Sequence, residues 1–308
     1  MKNYLIGTGG WAYFHVPGAN SLVAYSRAFN FVEVNSTFYQ IPPLKEVERW
    51  RKLVPKEFQF SVRANRAITH KHKLQPTEEA LEAFEKMKKI CDALDADVLH
   101  VQTPPSLKMT PAAISGLADF LGSVELGGLR LALEVRSPDL SGLPNELARI
   151  MQDHNMVHCV DLSIGEAPAY ESDVLYTRLF GKGEHNVYQP SDEELAEIDR
   201  KASSSGSQRI AMSFHFVRMY KDAARLISYK RTGGFPSITD FTGLSSLEEV
   251  LREDTNFPTS KQELVHHQGW KLFDATHDKR VHANELLQKL PERTYADLGD
   301  VMNELRQI

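Results

Sequence analysis

A chain of 308 residues, 42% hydrophobic and 25% charged, has ordinary globular composition and length for one barrel-sized domain plus a small appendage. Its formal charge of -5 argues against nucleic acid held through overall charge and leaves only a local basic groove for such a partner. Two cysteines without metal-type spacing, Cys91 and Cys159, suit a reducing compartment, and the opening residues hold no apolar stretch of membrane-spanning length. A cytoplasmic protein with no membrane partner is expected.

From the N-terminus, short runs rich in β-branched and aromatic residues alternate with helical patterns, the signature of βα units on a parallel sheet. Eight such runs predict strands at 4–7, 31–34, 58–62, 98–101, 131–135, 156–160, 175–179 and 210–214. The clearest helix covers 77–94, where Leu81, Phe84, Met87, Cys91 and Leu94 make one apolar stripe. Ser191 with Glu194 predicts a capping box before the last strand, whereas the gap 163–173 is too short for a crossover helix. Eight strands could also make an open doubly wound sheet. Gly7-Thr8-Gly9-Gly10, however, lacks the third glycine of its phosphate fingerprint. The fold class expected is therefore α/β, a (β/α)₈ barrel over 1–235.

Past a helix at about 220–230, the run 231–237 reads as a linker. Ser246 with Glu249 and Ser260 with Glu263 look like two further capping boxes, and Leu298, Val301, Met302 and Leu305 repeat at helical spacing. These signals predict a small all-helical module over 256–308. About 50 residues give a marginal core, so docking on the barrel or on a protein partner is expected.

Barrel strands alternate between a helix-facing side, which must be apolar, and an interior side. Val32 and Val34, Leu99 and Val101, and Leu131, Leu133 and Val135 take the outward places. That leaves Glu33 and Asn35, His100 and Gln102, and Glu134 and Arg136 inside, joined by Ser61 and Arg63, Tyr176 and Arg178, and Ser213 and His215. Asp161 ends the sixth strand with ambiguous parity. All fall at the strands' C-terminal ends, the rim that carries active sites in this architecture. Glu33 with Arg63, or Glu134 with Arg178, could be purely structural ion pairs. Three arginines in one mouth nevertheless offer planar forks for an anion, balanced by Glu33, Glu134 and Asp161. Trp11 and Tyr39 supply flat faces for stacking beside this mouth, and His70 is a loop histidine suited to proton transfer.

The runs Ile6-Gly7-Thr8-Gly9-Gly10-Trp11, Glu33-Val34-Asn35-Ser36-Thr37-Phe38-Tyr39, Ile68-Thr69-His70, Gln102-Thr103-Pro104-Pro105 and Glu134-Val135-Arg136 together resemble the YecE-like family, domain of unknown function 72. The resemblance covers residues 4–230. It implies a TIM barrel distantly akin to sugar-isomerase-like barrels, and no particular reaction. Two stretches depart from the family pattern. Ser137-Pro138-Asp139 stands where a histidine and a tryptophan are expected, and Ser213-Phe214-His215-Phe216 where paired asparagines are common. The tail, 257–301, is similar to a second family, the helical domain of unknown function 2795.

Three functions fit. The first is an enzyme acting on a small anionic or sugar-like metabolite. Glu33 and Glu134 would be acid and base, with His70 and Asp161 as further proton-handling candidates. Arg63, Arg136, Arg178, Asn35, Gln102, Trp11, Tyr39 and His215 would hold the ligand. No cofactor is predicted. The second leaves a divalent metal open, on His100, Glu134, Asp161 and His215, against the repulsion of three arginines. The third is a binding or scaffold protein that recruits a partner through its tail.

Overall fold

In the computed structural model, which describes residues 2–136 and 142–308, the eight predicted strands make one parallel sheet. They are β1 (Asn3–Thr8), β2 (Phe31–Val34), β3 (Gln59–Arg63), β4 (Val98–Gln102), β5 (Arg130–Glu134), β6 (Val157–His158), β7 (Val174–Leu179) and β8 (Arg209–Phe214). Their order is β6-β5-β4-β3-β2-β1-β8-β7. The seam between the outermost strands is closed by Val160. Its N–H donates to the Tyr176 carbonyl at 3.3 Å and its own carbonyl accepts from Arg178 N–H at 3.1 Å. The sheet is thereby a barrel. The sixth strand is shorter than predicted, because only this one bridge continues it toward β7. As the short gap required, a single 3₁₀ turn (Leu162–Ile164) stands where a sixth helix would lie.

Helices α1 (Ser21–Ala28), α2 (Leu44–Leu53), α3 (Glu78–Leu94), α4 (Pro111–Gly122) and α5 (Asn145–Asp153) follow the first five strands. Thr77 caps α3 by accepting from Ala80 N–H at 3.3 Å. The buried stripe of α3 is Ala80, Ala83, Phe84, Met87, Ile90, Cys91 and Leu94, and Leu81, expected within it, is half-buried. The chain makes two compact units. One is 1–179 with 201–215, and the other is 180–200 with 216–308. The first holds all eight strands and a lower interior layer of Leu5, Phe31, Val98, Ala132, Val157, Cys159, Val174, Tyr176 and Ala211.

The second unit contains most of α6 (Asp192–Ser204), all of α7 (Met219–Thr232) and the C-terminal elements. The capping box of α6 forms as predicted: Glu194 N–H donates to Ser191 Oγ at 3.2 Å and Ser191 N–H to Glu194 Oε2 at 2.9 Å. Its tail is not all-helical. Between α9 (Lys261–Gln268) and α10 (Asn284–Leu287) runs an antiparallel hairpin of β10 (Leu272–Thr276) and β11 (Lys279–His282), and β9 (Thr259–Ser260) pairs with β12 (Thr294–Tyr295). Buried Phe273 and Val281 pair across the hairpin, an alternation the helical reading overlooked. The box predicted at Ser246 is absent as well. Ser246 lies inside α8 (Leu244–Arg252), and its Oγ accepts from Asp274 N–H at 2.9 Å. The Ser260–Glu263 box is present, and α11 (Leu298–Leu305) buries Val301, Met302 and Leu305. These tail elements share one apolar cluster from Leu247 to Leu305. No helix among the described residues is long and apolar enough to cross a membrane.

Candidate active site at the C-terminal rim

Strand parity brings the predicted polar residues together. Register places Glu33 beside Ser61, Arg63 beside His100, Gln102 beside Glu134, and Arg178 beside Ser213. Arg178, 1% exposed, is the hub. Its Nε lies 3.0 Å from Glu33 Oε2 and its Nη2 donates to Glu33 Oε1 at 3.0 Å, while Nη1 donates to Glu134 Oε2 at 2.6 Å and to Gln102 Oε1 at 3.0 Å. Tyr176 Oη donates to Glu33 Oε2 at 2.8 Å and lies 2.7 Å from Ser61 Oγ. Two buried carboxylates thus share one guanidinium, a geometry that compensates desolvation only because every charged oxygen is also hydrogen-bonded.

Burial opposes ionisation of Glu33, but Arg178, His100 and His215 outweigh it and hold the carboxyl well below its ordinary range. Glu134 behaves alike: burial raises it, and Arg178 and His100 pull it well below. One cation thus acts on both carboxyls in the same direction. Around them the imidazoles are neutral at pH 7. Burial and then Arg178 lower both His100 and His215, the latter to about 4. His100 Nε2 lies 2.8 Å from Glu134 Oε2, and an ionised carboxylate can only accept, so the Nε2–H tautomer follows. His215 Nε2 approaches Glu33 Oε1 at 3.3 Å and Ser213 Oγ at 3.0 Å. Gly9 makes room for this ring: a Cβ there would sit 2.1 Å from the imidazole.

Lowered carboxyl values couple stability to pH. As pH falls, the unfolded chain takes up protons first, so the stabilisation present above about pH 4–5 is lost through the depressed native values. Urea midpoints measured at pH 7, 5 and 3 are expected to fall more steeply for the wild type than for Glu134→Gln. Parallel slopes would refute this coupling.

Arg63 differs from Arg178. It is 8% exposed, yet among the described residues it forms no ion pair. Nη1 donates to Asn35 Oδ1 and Nη2 to Gln102 Oε1, each at 2.7 Å, and the guanidinium lies 3.9 Å from the Phe38 ring centroid. Only two of its five N–H donors are used, and Nε has no partner. Burial and the neighbouring Arg178 lower its pKa to about 10, so it stays cationic. Arg136, part-exposed, reaches Glu134 Oε1 through Nε. His70 packs edge-on against Phe38 at 4.9 Å, with Nδ1 2.8 Å from Thr69 Oγ1. Burial, then Arg63, Arg136 and Arg66, lower its pKa, so a neutral imidazole sits within the field of the arginines.

Other expected residues lie differently. Tyr39, 67% exposed, contacts Phe38 edge-on at 5.0 Å. Trp11 packs edge-on against Trp50 at 5.2 Å. Asp161 caps the 3₁₀ turn, its Oδ1 accepting from Ser163 N–H at 2.8 Å. Ser137-Pro138-Asp139 lies outside the described residues. Phe38, Ser61 and Tyr176 were not singled out as site residues, although inward parity already pointed to the last two.

Metal chemistry can be tested on the donor set. Among the described residues, His100, Glu134 and Cys159 place one ligand atom each within 4.8 Å of one another, and this is not the set expected from sequence. Burial, then Glu134, push the Cys159 thiol well above its ordinary range. Glu134 Oε2 is also already held by both Arg178 Nη1 and His100 Nε2. A carboxylate oxygen already bound to a guanidinium and an imidazole N–H does not fit a divalent cation.

Fold and site together define a parallel (β/α)₈ barrel with a guanidinium–carboxylate cluster at its C-terminal rim. A family model described as "Protein of unknown function DUF72" matches residues 5–229, and the chain belongs to that family. The match stops short of the tail, whose likeness to a second family rests on its sequence runs alone. UPF0759 protein YecE of Escherichia coli (strain K12) is 30% identical over 122 residues, spanning 39% of this chain and 43% of that protein. A crystal structure of a DUF72 family protein from Enterococcus faecalis V583 superimposes with a TM-score of 0.60 at 17% identity, covering 76% of this chain and 98% of that one. Another from Thermotoga maritima MSB8 gives 0.58 at 19% identity, covering 74% and 98%. At such identities the likeness speaks for the fold.

Proposed function

We propose that the barrel is an enzyme acting on a small anionic or sugar-like metabolite by acid–base chemistry at its C-terminal rim. The observation that carries this reading is Arg63, a buried cation without an acidic partner among the described residues and with three unused N–H donors. Burying such a group costs several kcal/mol unless something compensates. A bound anion would compensate it in the plane of the fork, with Phe38 covering one face. Asn35 and Gln102 fix the guanidinium, so the fork is preorganised before a ligand arrives. Glu134, 12% exposed and sharing Oε1 with the part-exposed Arg136, is the candidate carboxylate for a proton from a ligand hydroxyl or C–H, once a ligand takes up part of its cationic surroundings. Neutral His70, beside the same arginines, can take up or return a proton.

Arg63→Met keeps the stem and removes the charge. In a thermal-shift screen of small carboxylates and sugar phosphates, at least one anion is expected to raise the wild-type melting temperature and to lose most of that effect in the variant. A screen in which no anion stabilises the wild type at 10 mM, or in which Arg63→Met responds equally, would sink the proposal.

A further inference from the structure

Within the second unit lies a cleft of about 420 Å³, lined among others by Asp254, Thr259, Glu263, His267 and Gln268. Its polar groups present oxygen. Asp254 is largely exposed and ion-paired through Oδ1 with the fully buried Lys271. Gln268 is 5% exposed, and its Oε1 has no hydrogen-bond partner. A buried amide oxygen without a donor is unfavourable, and this one belongs to a residue that lines the cleft. Glu263 uses only Oε2 in the cap of α9, accepting from Ser260 N–H at 2.8 Å and Ser260 Oγ at 2.9 Å. Cap donors hold its pKa low, so it is a carboxylate at neutral pH.

We infer that this cleft binds an alkylammonium or guanidinium group. Asp254 and Glu263 supply the charge, and Gln268 Oε1 and Thr259 supply neutral acceptors. Lys271 pairs with Asp254 and Arg218 also acts on it, whereas Glu263 forms no ion pair among the described residues. A compact metal centre is not what this is: among the described residues, Asp254, Glu263 and His267 do not form a group of metal-compatible spacing. A ligand with several N–H donors suits acceptors carried on separate side chains. It would come from a small polyamine or from a lysine or arginine side chain of a partner protein.

The test uses the full chain and calorimetric titration at low ionic strength. The probes are acetyl-Gly-Lys-Gly-amide, the same peptide with its lysine Nε acetylated, and spermidine. Saturable binding of the lysine peptide or of spermidine is expected, weakened about tenfold or more in Glu263→Gln. That substitution keeps the cap, because a glutamine oxygen also accepts at this position. Acetylating the lysine is expected to abolish peptide binding in the unaltered protein, a readout that involves no mutation. Binding of the peptide assigns the cleft to a partner's side chain, and binding of spermidine alone assigns it to a free amine. No saturable binding below 1 mM, equal affinity for the acetylated peptide, or an unchanged affinity in a folded Glu263→Gln protein would overturn the inference.

Discussion

Arg178→Ala is expected to destabilise the protein by about 3–5 kcal/mol, the cost of removing one partner from a buried ion pair. The substitution would strand Glu33 and Glu134 together, both deprived of their common cation, and would leave Gln102 Oε1 with Arg63 alone. The sequence offers Arg178 both as a ligand-holding arginine and as a structural partner of Glu134, and a purely ligand-holding role would let its loss spare the fold. The geometry favours the structural role, because each of its three nitrogens already serves a protein oxygen. Arg178→Lys should fall between, since an ammonium can neutralise one carboxylate but cannot span both. Urea midpoints of the three proteins at pH 7 decide the matter. An alanine variant with an unaltered midpoint and lost anion binding would return Arg178 to the ligand.

Truncation after Gly234 is expected to leave the remaining chain poorly soluble or strongly destabilised. The reason lies within the second unit. Gln189, fully buried, accepts from Leu272 N–H at 2.9 Å, and its own carbonyl lies 2.8 Å from His282 Nε2. Asp192 pairs with Arg280 as well as with Arg225. Removing the tail deletes Leu272, Arg280 and His282 at once. Losing those hydrogen bonds costs about 0.5–1.5 kcal/mol each, before any apolar surface is counted. Soluble yield and the urea midpoint of the 1–234 protein provide the check, with Gln189→Ala in the full chain isolating the polar contribution. A truncated protein as stable as the full chain would show that the tail is a detachable module, as a partner-recruiting scaffold requires.

Alternation along β2, β3, β4, β5 and β7 was sufficient to turn Glu33, Arg63, Gln102, Glu134 and Arg178 inward, because a helix-facing strand surface tolerates only apolar side chains. That rule acts over two residues and needs no tertiary knowledge. It failed where periodicity was weak. In the tail, the polar turn at 277–278 marked a hairpin, yet neighbouring capping signals favoured helices. The boxes at Ser191 and Ser260 were legible because a cap is completed within four residues. Ser246 imitated one, and its hydroxyl was instead claimed by Asp274, 28 residues away.

The sequence by itself determined the barrel, its rim and the identity of the charges there, all consequences of local periodicity and strand parity. Which arginine neutralises which carboxylate depended on barrel closure, since Glu33 and Arg178 are 145 residues apart and meet only across the interior. Closure alone made Arg178 a buried counter-ion to two carboxylates and left Arg63 with amide oxygens and an aromatic face. Electrostatic roles are set by distances of a few ångströms between distant strands, and no pattern along the chain encodes those.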